Sequence, residues 1–389
     1  RRGGALVRAA SRGGLLEASA SMSGLGAASA AAEARAVSPP RRPAQAAPGA
    51  LTPDDEFDRL SCLGVGSFGK VLLCRRRRTD ELFAVKLISL ASLRLRKQLE
   101  RMRTERDVCV LLEHEFIVKL HFAHRGPGAC VALGFEYCAG GELFHHLAQR
   151  QALPAATVAF YGAQLALALQ CAHDHGVAYR DVKPENCLLD HRGYLKLGDF
   201  GLAKRGVNEA CRGAFSLCGT PEYMAPEVLS RHAAGYGHAV DWWGVGVWMY
   251  ELLTGRPPWR GGDRAALFEQ IRCAPLRLPP GMGAAAAAVV SALLRRHPRD
   301  RLCARCGASE LRDLPLFRDH GVDLDAMVGS DAPAPIRPCA KTERPSNFAN
   351  FDSKFTSLPT DVDGATDARD APSFATIDFF EHHWDFARR

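Results

Sequence analysis

The sequence predicts an α+β fold in which short strands come first and helices follow. Residues 63–71 place glycines between two apolar runs, a pattern typical of a strand, a turn and a second strand. Residues 82–86 form a short, mainly apolar run that includes the β-branched Val85, which predicts a further strand. Residues 92–112 read as a charged helix with apolar interruptions, and residues 154–176 as a long apolar-periodic helix. Residues 131–136 form another strand that leads through two glycines into a helix.

Length and composition are those of a globular protein. A chain of 389 residues is long enough for two packed lobes and tails. The hydrophobic fraction of 47% and the charged fraction of 24% are ordinary, and no run of 18 apolar residues predicts a membrane span. The thirteen cysteines are scattered, and the single pair Cys303 and Cys306 is not followed by a second pair at zinc spacing. Reduced thiols in a cytoplasmic protein are therefore expected.

The basic charge is concentrated at the start of the chain. Seven arginines and two glutamates in residues 1–50 account for +5 of the net charge of +7, so the remainder carries only +2. A nearly neutral remainder argues against a nucleic-acid-binding surface. Residues 1–56 are rich in Ala, Gly, Ser and Arg and are predicted to be a disordered leader. An organelle-targeting segment is the alternative. Because the sequence begins with Arg1, the natural start is expected either upstream or at Met22.

One stretch carries the chemistry. Residues 179–186 read Tyr-Arg-Asp-Val-Lys-Pro-Glu-Asn, and residues 199–201 read Asp-Phe-Gly. Phosphoryl transfer needs one carboxylate to accept the proton of the attacking hydroxyl, here Asp181. It also needs an amide and a second carboxylate to hold Mg²⁺, here Asn186 and Asp199, while Lys183 would steady the charge on the moving group. The alternative, a polar turn between two strands, would have to produce both motifs in order by chance.

At these residues the chain resembles the protein kinases, and Tyr179 in place of the usual His resembles the AGC group of serine/threonine kinases. The resemblance implies a bilobal fold, with a small five-stranded antiparallel sheet and one helix over a larger, mainly helical lobe. It implies ATP and Mg²⁺ as cofactors. The boundaries it gives are a leader at 1–56, a catalytic domain at 57–317 with lobes at 57–136 and 139–317, and a C-terminal tail at 318–389.

The glycine-rich segment fits an ATP site. Gly64, Gly66 and Gly69 would let the backbone lie close to phosphates. Alone, this pattern could equally be a dinucleotide fingerprint, but Lys70 and Val71 and the strand that follows favour the kinase version. Glu105 is the candidate partner of Lys86, with an ordinary exposed carboxylate as the alternative. Phe135 would be the gatekeeper. The ATP-binding set that the resemblance implies is Leu63, Gly64, Val65, Gly66, Ser67, Phe68, Gly69, Lys70, Val71, Lys86, Glu105, Glu136 and Cys138.

Residues 215–227 resemble the activation segment of AGC kinases. Ser216 aligns with the phosphosite, on which an upstream activating kinase would act, and the phosphate would order the loop through Arg180, Lys204 and Arg101. Thr220 would bridge Asp181 and Lys183 as the third residue of the catalytic group. An apolar pocket for the residue after the target hydroxyl would be lined by Leu217, Pro221 and Met224.

Three acids match positions that contact substrate arginines in basophilic kinases: Glu142, Glu185 and Glu269. Any one of them alone would more simply be a surface acid, but together they favour a groove for basic protein sites. The resemblance also implies that Asp241 braces the catalytic loop and that Glu227 pairs with Arg301.

The tail departs from the family pattern at its end. Glu381 stands where the first Phe of the terminal aromatic motif is expected, and Asp385 stands where many members have a phosphorylated residue. A fixed carboxylate at Asp385 would supply part of that phosphate's charge.

The function that the sequence predicts is transfer of the ATP γ-phosphoryl group to Ser or Thr in arginine-containing protein sites, in intracellular signalling. The competing class is a pseudokinase scaffold that uses the fold only for binding. Such proteins usually lack the catalytic Lys, the catalytic Asp or the metal-binding Asp. This sequence has all three, as Lys86, Asp181 and Asp199. A nucleic-acid-binding protein, the third candidate, is disfavoured by the near-neutral remainder of the chain. AGC subfamily, activating signal and substrates are not indicated.

Overall fold

The structure is a computed structural model. It describes residues 56–66, 69–89, 96–126, 130–230, 235–339, 348–360 and 384–385. The predicted leader, apart from residue 56, and the loop residues Ser67 and Phe68 lie outside the described residues, as do Phe380 and Glu381 of the terminal motif.

The small lobe is built on a sheet of six antiparallel strands in the order β1-β2-β3-β5-β4-β11. The strands are β1 (Phe57–Gly66), β2 (Gly69–Arg76), β3 (Leu82–Ser89), β4 (Leu120–Gly126), β5 (Cys130–Glu136) and β11 (Trp384–Asp385). The first five strands are the predicted small-lobe sheet, which is confirmed. The sixth comes from the far end of the tail and pairs Trp384 and Asp385 with Ala123 and Phe122.

Strand β3 shows why the sheet has two different faces. Phe83, Val85 and Leu87 alternate along it and are buried in a cluster with residues of β1, β2 and β4. Lys86 therefore points to the opposite face, where its neighbours in register are Val71 and Leu133. This face lies over the cleft between the lobes.

The one long helix of the small lobe, α1, spans Arg96–Leu111, within the predicted 92–112. Its sequence is rich in Arg, Leu, Met, Gln and Glu, which are strong helix formers. Met102 and Val108 are buried, and Glu105 is buried among them at 5% exposure. The helix packs against the turn Phe200–Leu202 of the large lobe, which carries the Asp-Phe-Gly motif to its surface.

The large lobe is mainly helical. Its helices are α2 (Leu143–Arg150), α3 (Ala155–Asp174), α4 (Pro226–Leu229), α5 (Ala239–Thr254), α6 (Arg264–Cys273), α7 (Ala284–Leu293) and α8 (Pro315–Arg318). A further helical turn in the tail, α9, spans Ser353–Thr356. The core of the lobe is the packing of α3 against α5, and of α5 against α7.

Helix α3 fulfils the predicted apolar helix at 154–176. Among the described residues it is the one helix long and apolar enough to cross a membrane. Most of it, 67%, is buried inside the protein. Its apolar surface is therefore used in the core of the lobe.

Short strands hold the loops at the cleft. The large lobe contains the pair β10 (Lys204–Arg205) with β7 (Val177–Ala178), and a three-stranded sheet of β6 (Gly141–Glu142), β8 (Cys187–Leu189) and β9 (Leu195–Leu197). Residues 179–186 connect β7 to β8, and the Asp-Phe-Gly motif follows β9. Both motifs therefore emerge at the same edge of the large lobe, beneath the small-lobe sheet.

Candidate active site

A buried carboxylate holds the loop that carries Asp181. Asp241, on the first turn of α5, is 1% exposed and accepts hydrogen bonds from the backbone N–H groups of Tyr179 (2.9 Å) and Arg180 (2.7 Å). His173 Nε2 lies 2.7 Å from the same carboxylate. Arg180 adopts a left-handed conformation with φ of 73°, which is costly for a residue with a Cβ. The bonds to Asp241 stabilise this conformation and so fix the direction of Asp181, the next residue.

The carboxylate of Asp181 is held by three neighbours. The Nδ2 of Asn186 donates to its Oδ2 (3.0 Å) and to its backbone carbonyl (2.9 Å). The hydroxyl and backbone N–H of Thr220 donate to its Oδ1 (2.8 and 3.0 Å). Lys183 Nζ lies 2.9 Å from Oδ2 and 3.4 Å from the Thr220 hydroxyl. The structure thus places Thr220 between Asp181 and Lys183, as the sequence predicted, and orients an acceptor oxygen at the cleft.

Lys183 is kept in its ammonium form by this arrangement. Burial alone would lower the pKa of Lys183, but the hydrogen bond and the negative charge of Asp181 outweigh it and raise the pKa. A permanent positive charge beside Asp181 would stabilise negative charge on a phosphoryl group during its transfer.

Lys86 joins strand β3 to helix α1. Its Nζ donates to both carboxylate oxygens of Glu105, at 2.7 and 2.8 Å, and lies 3.8 Å from Asp199 Oδ1. Burial alone would lower the pKa of Lys86, but the carboxylates of Glu105 and Asp199 raise it, so the lysine remains charged. The alternative in which Glu105 is an exposed helical carboxylate is wrong, because its side chain is 6% exposed and paired.

These groups line one cleft of about 190 Å³, between α1 and the two motifs of the large lobe. Four of its residues were predicted as site residues: Lys86, Glu105, Asp181 and Asp199. The cleft therefore collects an ammonium group and several carboxylates at one place, as a site for a metal-bound phosphate would require.

Asn186 and Asp199 fit the Mg²⁺ site that the family implies. Asp199 is left-handed (φ 50°), and its Oδ1 accepts from the backbone N–H of Gly201 at 3.3 Å, while half of the side chain (55%) remains exposed to the cleft. The Asn186 amide uses its Nδ2 to bind Asp181, which leaves the orientation of its oxygen fixed. The Asn186 carbonyl accepts from the N–H of Gly198 at 2.9 Å, which ties the two loops together. Carboxylate and amide oxygens are the ligands that Mg²⁺ prefers.

Two glycines of the glycine-rich turn have open space where a side chain would be. Gly64 pairs with Val71, and Gly66 pairs with Gly69, so the turn is the tip of the β1–β2 hairpin. A Cβ on Gly64 would contact nothing within 4 Å, and one on Gly66 would just reach an oxygen at 4.0 Å. Neither packing nor a positive φ requires glycine at these two positions. Close approach of a ligand such as ATP is a reason for glycine that this geometry leaves open.

Leu63, Val65, Lys70 and Val71 lie on the same hairpin and flank the turn. Gly69 differs from the first two glycines, because a Cβ there would clash with the backbone carbonyl of Leu87 on β3. Ser67 and Phe68, predicted at the tip, lie outside the described residues.

The connection between the lobes begins at the end of β5. The Glu136 side chain is occupied, since it accepts from the N–H of Lys119 (2.7 Å) and pairs with Lys196 (2.9 Å). Cys138 is buried and its carbonyl accepts from the N–H of Gly141. Contacts from these residues to an adenine would therefore have to come from the backbone. Phe135 packs against the main core, as an aromatic gatekeeper would.

Ser216 contacts the catalytic loop through the side chain of Arg180. Arg180 Nη1 donates to the Ser216 hydroxyl at 2.7 Å, and Nε donates to the Leu202 carbonyl at 2.8 Å. Two other cations were predicted to bind a phosphate here. Arg101 lines the cleft beside Gly201, and the side chain of Lys204 is exposed on β10, but none of their described contacts reaches Ser216.

Sequence reasoning missed Tyr236. Its hydroxyl donates to the Ser216 carbonyl (2.6 Å) and accepts from Arg180 Nη1 (3.0 Å). Its backbone exchanges two hydrogen bonds with Ala214, at 2.8 and 2.9 Å. The signal in the sequence was a tyrosine five residues before Asp241, on a segment with no recognised motif.

Of the three residues predicted to line an apolar pocket for the residue after the target hydroxyl, one lines a cavity in the structure. Met224 lines a small cavity together with Thr220, Tyr223 and Val228. Leu217 and Pro221 do not line this cavity, and Leu217 is 41% exposed.

The structure brings Glu142 and Glu185 together. Burial raises the pKa of Glu142, and the negative charge of Glu185 raises it further. Among the described residues neither acid forms a salt bridge. The pair therefore places two neighbouring carboxylates beside the catalytic loop.

The third predicted acid, Glu269, lies on helix α6. An acid that was not predicted, Glu251, lies close enough to Glu185 to be affected by its charge. Glu269 lies on the exposed side of α6, where it pairs with Arg272 at 2.7 Å. Burial raises the pKa of Glu251, on α5, and the negative charge of Glu185 raises it further. The Glu251 carboxylate accepts a hydrogen bond from the hydroxyl of Tyr223. The match of Glu269 to a substrate contact stays a prediction; in the structure its carboxylate is exposed and is satisfied by its i+3 neighbour.

Compared with known protein families, residues 57–313 match the family described as "Protein kinase domain". Three similar curated proteins are serine/threonine-protein kinase gad8 of Schizosaccharomyces pombe, ribosomal protein S6 kinase alpha-6 of Homo sapiens and serine/threonine-protein kinase akt-2 of Caenorhabditis elegans. The chain is 39% identical to the first over 308 residues, 39% to the second over 313 and 36% to the third over 327. These alignments cover 79%, 79% and 83% of this chain, but 52%, 41% and 60% of the relatives.

The fold and the site define a protein kinase, and the chain belongs to that family. Within the family, its relatives place it in the AGC group of serine/threonine kinases, as the sequence predicted. The chain spans about half of the length of the curated relatives that it matches.

Proposed function

We propose that this chain transfers the γ-phosphoryl group of ATP to Ser or Thr residues that follow arginines in protein substrates. The observation that carries the proposal is the carboxylate of Asp181, which is held by Asn186, Thr220 and Lys183 with hydrogen bonds and an ion pair of 2.8 to 3.0 Å. A fixed acceptor beside a permanent ammonium is the arrangement that phosphoryl transfer to a hydroxyl uses.

Each residue has a proposed task. Asp181 orients the substrate hydroxyl and accepts its proton. Lys183 stabilises charge on the transferred group, and Lys86, fixed by Glu105, binds the phosphates. Asn186 and Asp199 would hold Mg²⁺, which neutralises phosphate charge when bound. The backbone of the glycine-rich turn and of Glu136 to Cys138 would hold the nucleotide.

The preference for arginine is supported by the acidic cluster of Glu142, Glu185 and Glu251. Carboxylates without cationic partners at the mouth of a cleft favour guanidinium groups, which bind them with two parallel hydrogen bonds. We further propose that the protein acts in intracellular signalling in the cytoplasm and is activated by another kinase at Ser216. The thirteen free cysteines support the cytoplasmic compartment. Organelle targeting by the leader remains the alternative.

The test is phosphorylation of a serine peptide with arginines at the third and second positions before the serine. Asp181→Asn should lower kcat by about 10²- to 10⁴-fold, because the proton acceptor is lost. Binding of Mg·ATP should persist, since Lys86 and Asp199 remain. A wild type that is phosphorylated at Ser216, binds Mg·ATP and transfers no phosphate would instead indicate a pseudokinase scaffold.

The groove is tested separately. Glu142→Gln combined with Glu185→Gln should raise KM for the arginine peptide roughly tenfold or more, because charge-assisted hydrogen bonds are lost. Glu269→Gln is the matched control, since it removes an acid that pairs with Arg272 on α6. Equal KM values for the double variant and the control would contradict the groove.

A further inference from the structure

We propose that this chain phosphorylates the predicted N-terminal leader of a second copy of itself, at Ser11 and at Ser38. The inference rests on the proposed function, because it uses the same acidic groove and the same transfer reaction. It goes beyond that function in naming a substrate, and two modification sites, within the sequence of the chain itself.

An arginine stands three positions before a serine or threonine at four places in the whole sequence. Two of these places are in the predicted leader and two are in the small lobe. They read Arg8-Ala-Ala-Ser11, Arg35-Ala-Val-Ser38, Arg76-Arg-Arg-Thr79 and Arg101-Met-Arg-Thr104. The structure describes the small-lobe pair, whereas the leader serines lie outside the described residues. The small-lobe pair therefore shows what the fold does to this spacing.

The fold makes Thr79 an unsuitable target, because its arginine is buried. Arg76 is 6% exposed, and its guanidinium carbon lies 4.8 to 5.5 Å from the ring centroids of Phe57, Phe83 and Phe122. The guanidinium is thus held against the apolar cluster of the small-lobe sheet by cation–π contacts. An acid of another copy could reach it only if Arg76 left this cluster. Thr79 therefore has the right spacing but no available arginine.

Thr104 is unsuitable because it belongs to helix α1. It is half-buried, and its hydroxyl donates to the carbonyl of Glu100, one turn earlier, at 2.8 Å. Transfer requires the target hydroxyl to come within hydrogen-bond reach of Asp181, whose carboxylate is itself buried. Thr104 could do so only by leaving the helix. The next residue, Glu105, would then lose its pair with Lys86.

The predicted leader has neither of these obstacles. Residues 1–50 consist mainly of Ala, Gly, Ser, Arg and Pro, a composition that predicts no packed core, because little apolar surface can be buried. The prediction leaves the side chains of Arg8 and Arg35 available to a partner. The same residues carry +5 of the net charge of +7, so the leader is attracted to acidic surfaces.

The acidic surface that would receive these arginines is built from two adjoining elements of the large lobe. Glu142 lies on β6 and stands opposite Leu188 of β8. Glu185 lies on the turn Pro184–Asn186, directly before β8, and β6 packs against this turn. Both acids are therefore next to the loop that carries Asp181. Neither forms a salt bridge with another described residue, and a guanidinium can bind a carboxylate with two parallel hydrogen bonds.

The transfer is the reaction of the proposed function. The Oγ of Ser11 or Ser38 forms a bond to the γ-phosphorus of ATP, the bond from this phosphorus to the β–γ bridging oxygen breaks, and ADP leaves. Asp181 accepts the proton of the hydroxyl. Each phosphate adds a charge of about −1.5 to −2, so two phosphates cancel most of the +5 charge of the leader. The product is therefore less attracted to the acidic groove than the substrate, which favours its release.

The experiment uses two full-length copies of the chain. Wild type is incubated with Mg·ATP and with isotope-labelled Asp181→Asn protein, whose own transfer should be about 10²- to 10⁴-fold slower. Mass spectrometry then locates phosphate on the labelled copy. Phosphate is expected on Ser11 and Ser38, and not on Thr79 or Thr104. The labelled copy alone should acquire almost none, which excludes a contaminating kinase.

Arginine variants of the labelled copy test the recognition. Arg8→Ala should lower the initial rate at Ser11 by about tenfold or more, because charge-assisted hydrogen bonds are lost. Arg12→Ala removes the same charge on the other side of this serine, so it is the matched control and should retain most of the rate. Arg35→Ala should act at Ser38 as Arg8→Ala acts at Ser11.

A synthetic peptide tests the part played by the fold. Residues 75–84, as a free peptide, present Arg76 and Thr79 without the apolar cluster. Wild type should phosphorylate this peptide, although it leaves Thr79 of the folded chain unmodified. Comparable rates at Thr79 of the folded chain and at the leader serines would overturn the inference that burial of Arg76 directs the reaction to the leader.

The outcomes separate the two proposals. A wild type that phosphorylates the arginine peptide of the proposed function, but neither leader serine, overturns this inference alone. Equal losses at Ser11 for Arg8→Ala and Arg12→Ala also overturn it, because general charge attraction would then replace recognition at one position. A wild type that modifies neither the arginine peptide nor the leader overturns it together with the proposed function.

Discussion

Asp181 and Glu142 are both predicted site acids, but their surroundings differ. Asp181 receives hydrogen bonds from Asn186 and Thr220 and an ion pair from Lys183, so its carboxylate is fixed. Glu142 has another acid, Glu185, as its neighbour, which raises its pKa beyond the effect of burial. These surroundings support the proposed roles, in which the first acts on a bound hydroxyl and the second attracts a cation.

The raised pKa of Glu142 predicts a pH-dependent substrate preference. An acid with a raised pKa is charged well above that pKa and becomes neutral as pH falls through it, at a higher pH than an ordinary glutamate. KM for the arginine peptide should therefore rise as pH is lowered from the neutral into the acid range, whereas KM for a peptide with alanines in place of the arginines should not follow. Steady-state kinetics across this range measures both.

Glu142→Gln supplies the control for this pH profile. Its KM for the arginine peptide should start higher and rise less towards acid pH, with Glu251 accounting for the remaining slope. Parallel profiles for the two peptides in the wild type would contradict the assignment.

Residues within contiguous motifs could be predicted from the sequence, and residues defined by distant contacts could not. The spacing of Asp181, Asn186 and Asp199 reflects local loop geometry; Asp181 and Asp199 line one cleft, and Asn186 is hydrogen-bonded to Asp181. Glu251 comes from α5 and becomes part of the acidic cluster only when α5 packs beneath the catalytic loop. Nothing in its own sequence neighbourhood separates it from Glu269, which looks similar and lies on an exposed helix face.

The activation segment is held in place by more than Arg180. The backbone of Ala214 pairs with Tyr236, and the hydroxyl of Tyr236 joins the Ser216 carbonyl to the Arg180 guanidinium. None of these bonds uses the Ser216 hydroxyl, on which a phosphate would be placed. The segment therefore has an anchor that precedes any modification of Ser216.

Tyr236→Phe should weaken this anchor. Two hydrogen bonds are lost, each worth about 1 kcal/mol, so kcat/KM should fall up to roughly tenfold in protein that is not phosphorylated at Ser216. The loss should be smaller after phosphorylation, because a phosphate forms stronger, charge-assisted bonds with Arg180. Kinetics on the two forms, with the phosphorylation state verified by mass spectrometry, measures the difference. An equal loss in both forms would assign Tyr236 a merely structural role.

The tail strand β11 places Asp385 opposite Phe122 on β4. The prediction that its carboxylate supplies part of a regulatory phosphate's charge remains open, because the side chain lies outside the described residues. Asp385→Ala should then lower the activity and reduce Tm by about 1 to 4 °C, the range of an exposed ion pair in a domain of this size.

Asp385→Asn is the matched control for shape. If the charge matters, Asn should behave like Ala, and Asp385→Glu should behave like the wild type. Unchanged activity and Tm in Asp385→Ala would remove the hypothesis.

A buried ion pair connects several elements of the large lobe. Arg301 has a fully buried side chain and donates to Glu227 at 2.7 and 3.1 Å, and also to the carbonyls of Ala239 and Arg295. It thus joins α4 to the start of α5 and to the residues after α7. The predicted pair of Glu227 with Arg301 is present within the large lobe.

Arg301→Met should destabilise the molecule by about 3–5 kcal/mol, because it leaves the Glu227 carboxylate buried without a partner. The expected decrease in Tm is roughly 6–20 °C. Adding Glu227→Met should recover part of the loss, since the uncompensated charge is removed. Thermal unfolding of the two variants measures this, and a double variant less stable than the single one would contradict the argument.

At the scale of the whole molecule, the order of strands and helices followed from periodicity, and the bilobal architecture followed from resemblance. The predicted helix at 154–176 and the observed Ala155–Asp174 agree because a long apolar stripe has few alternatives to core burial. The sixth strand could not be inferred in the same way. Two residues have no periodicity, and their pairing depends on where the tail returns after leaving the large lobe.

That returning strand has a consequence for the solution behaviour of the protein. Without β11, β4 would be the edge of the small-lobe sheet, and its free N–H and C=O groups would be a template for pairing with another chain. The last residues of the tail thus cover part of an edge that could otherwise promote self-association. A shorter version that ends before Trp384 would keep every residue of the catalytic cleft, yet it would be limited in concentrated solution by its tendency to aggregate.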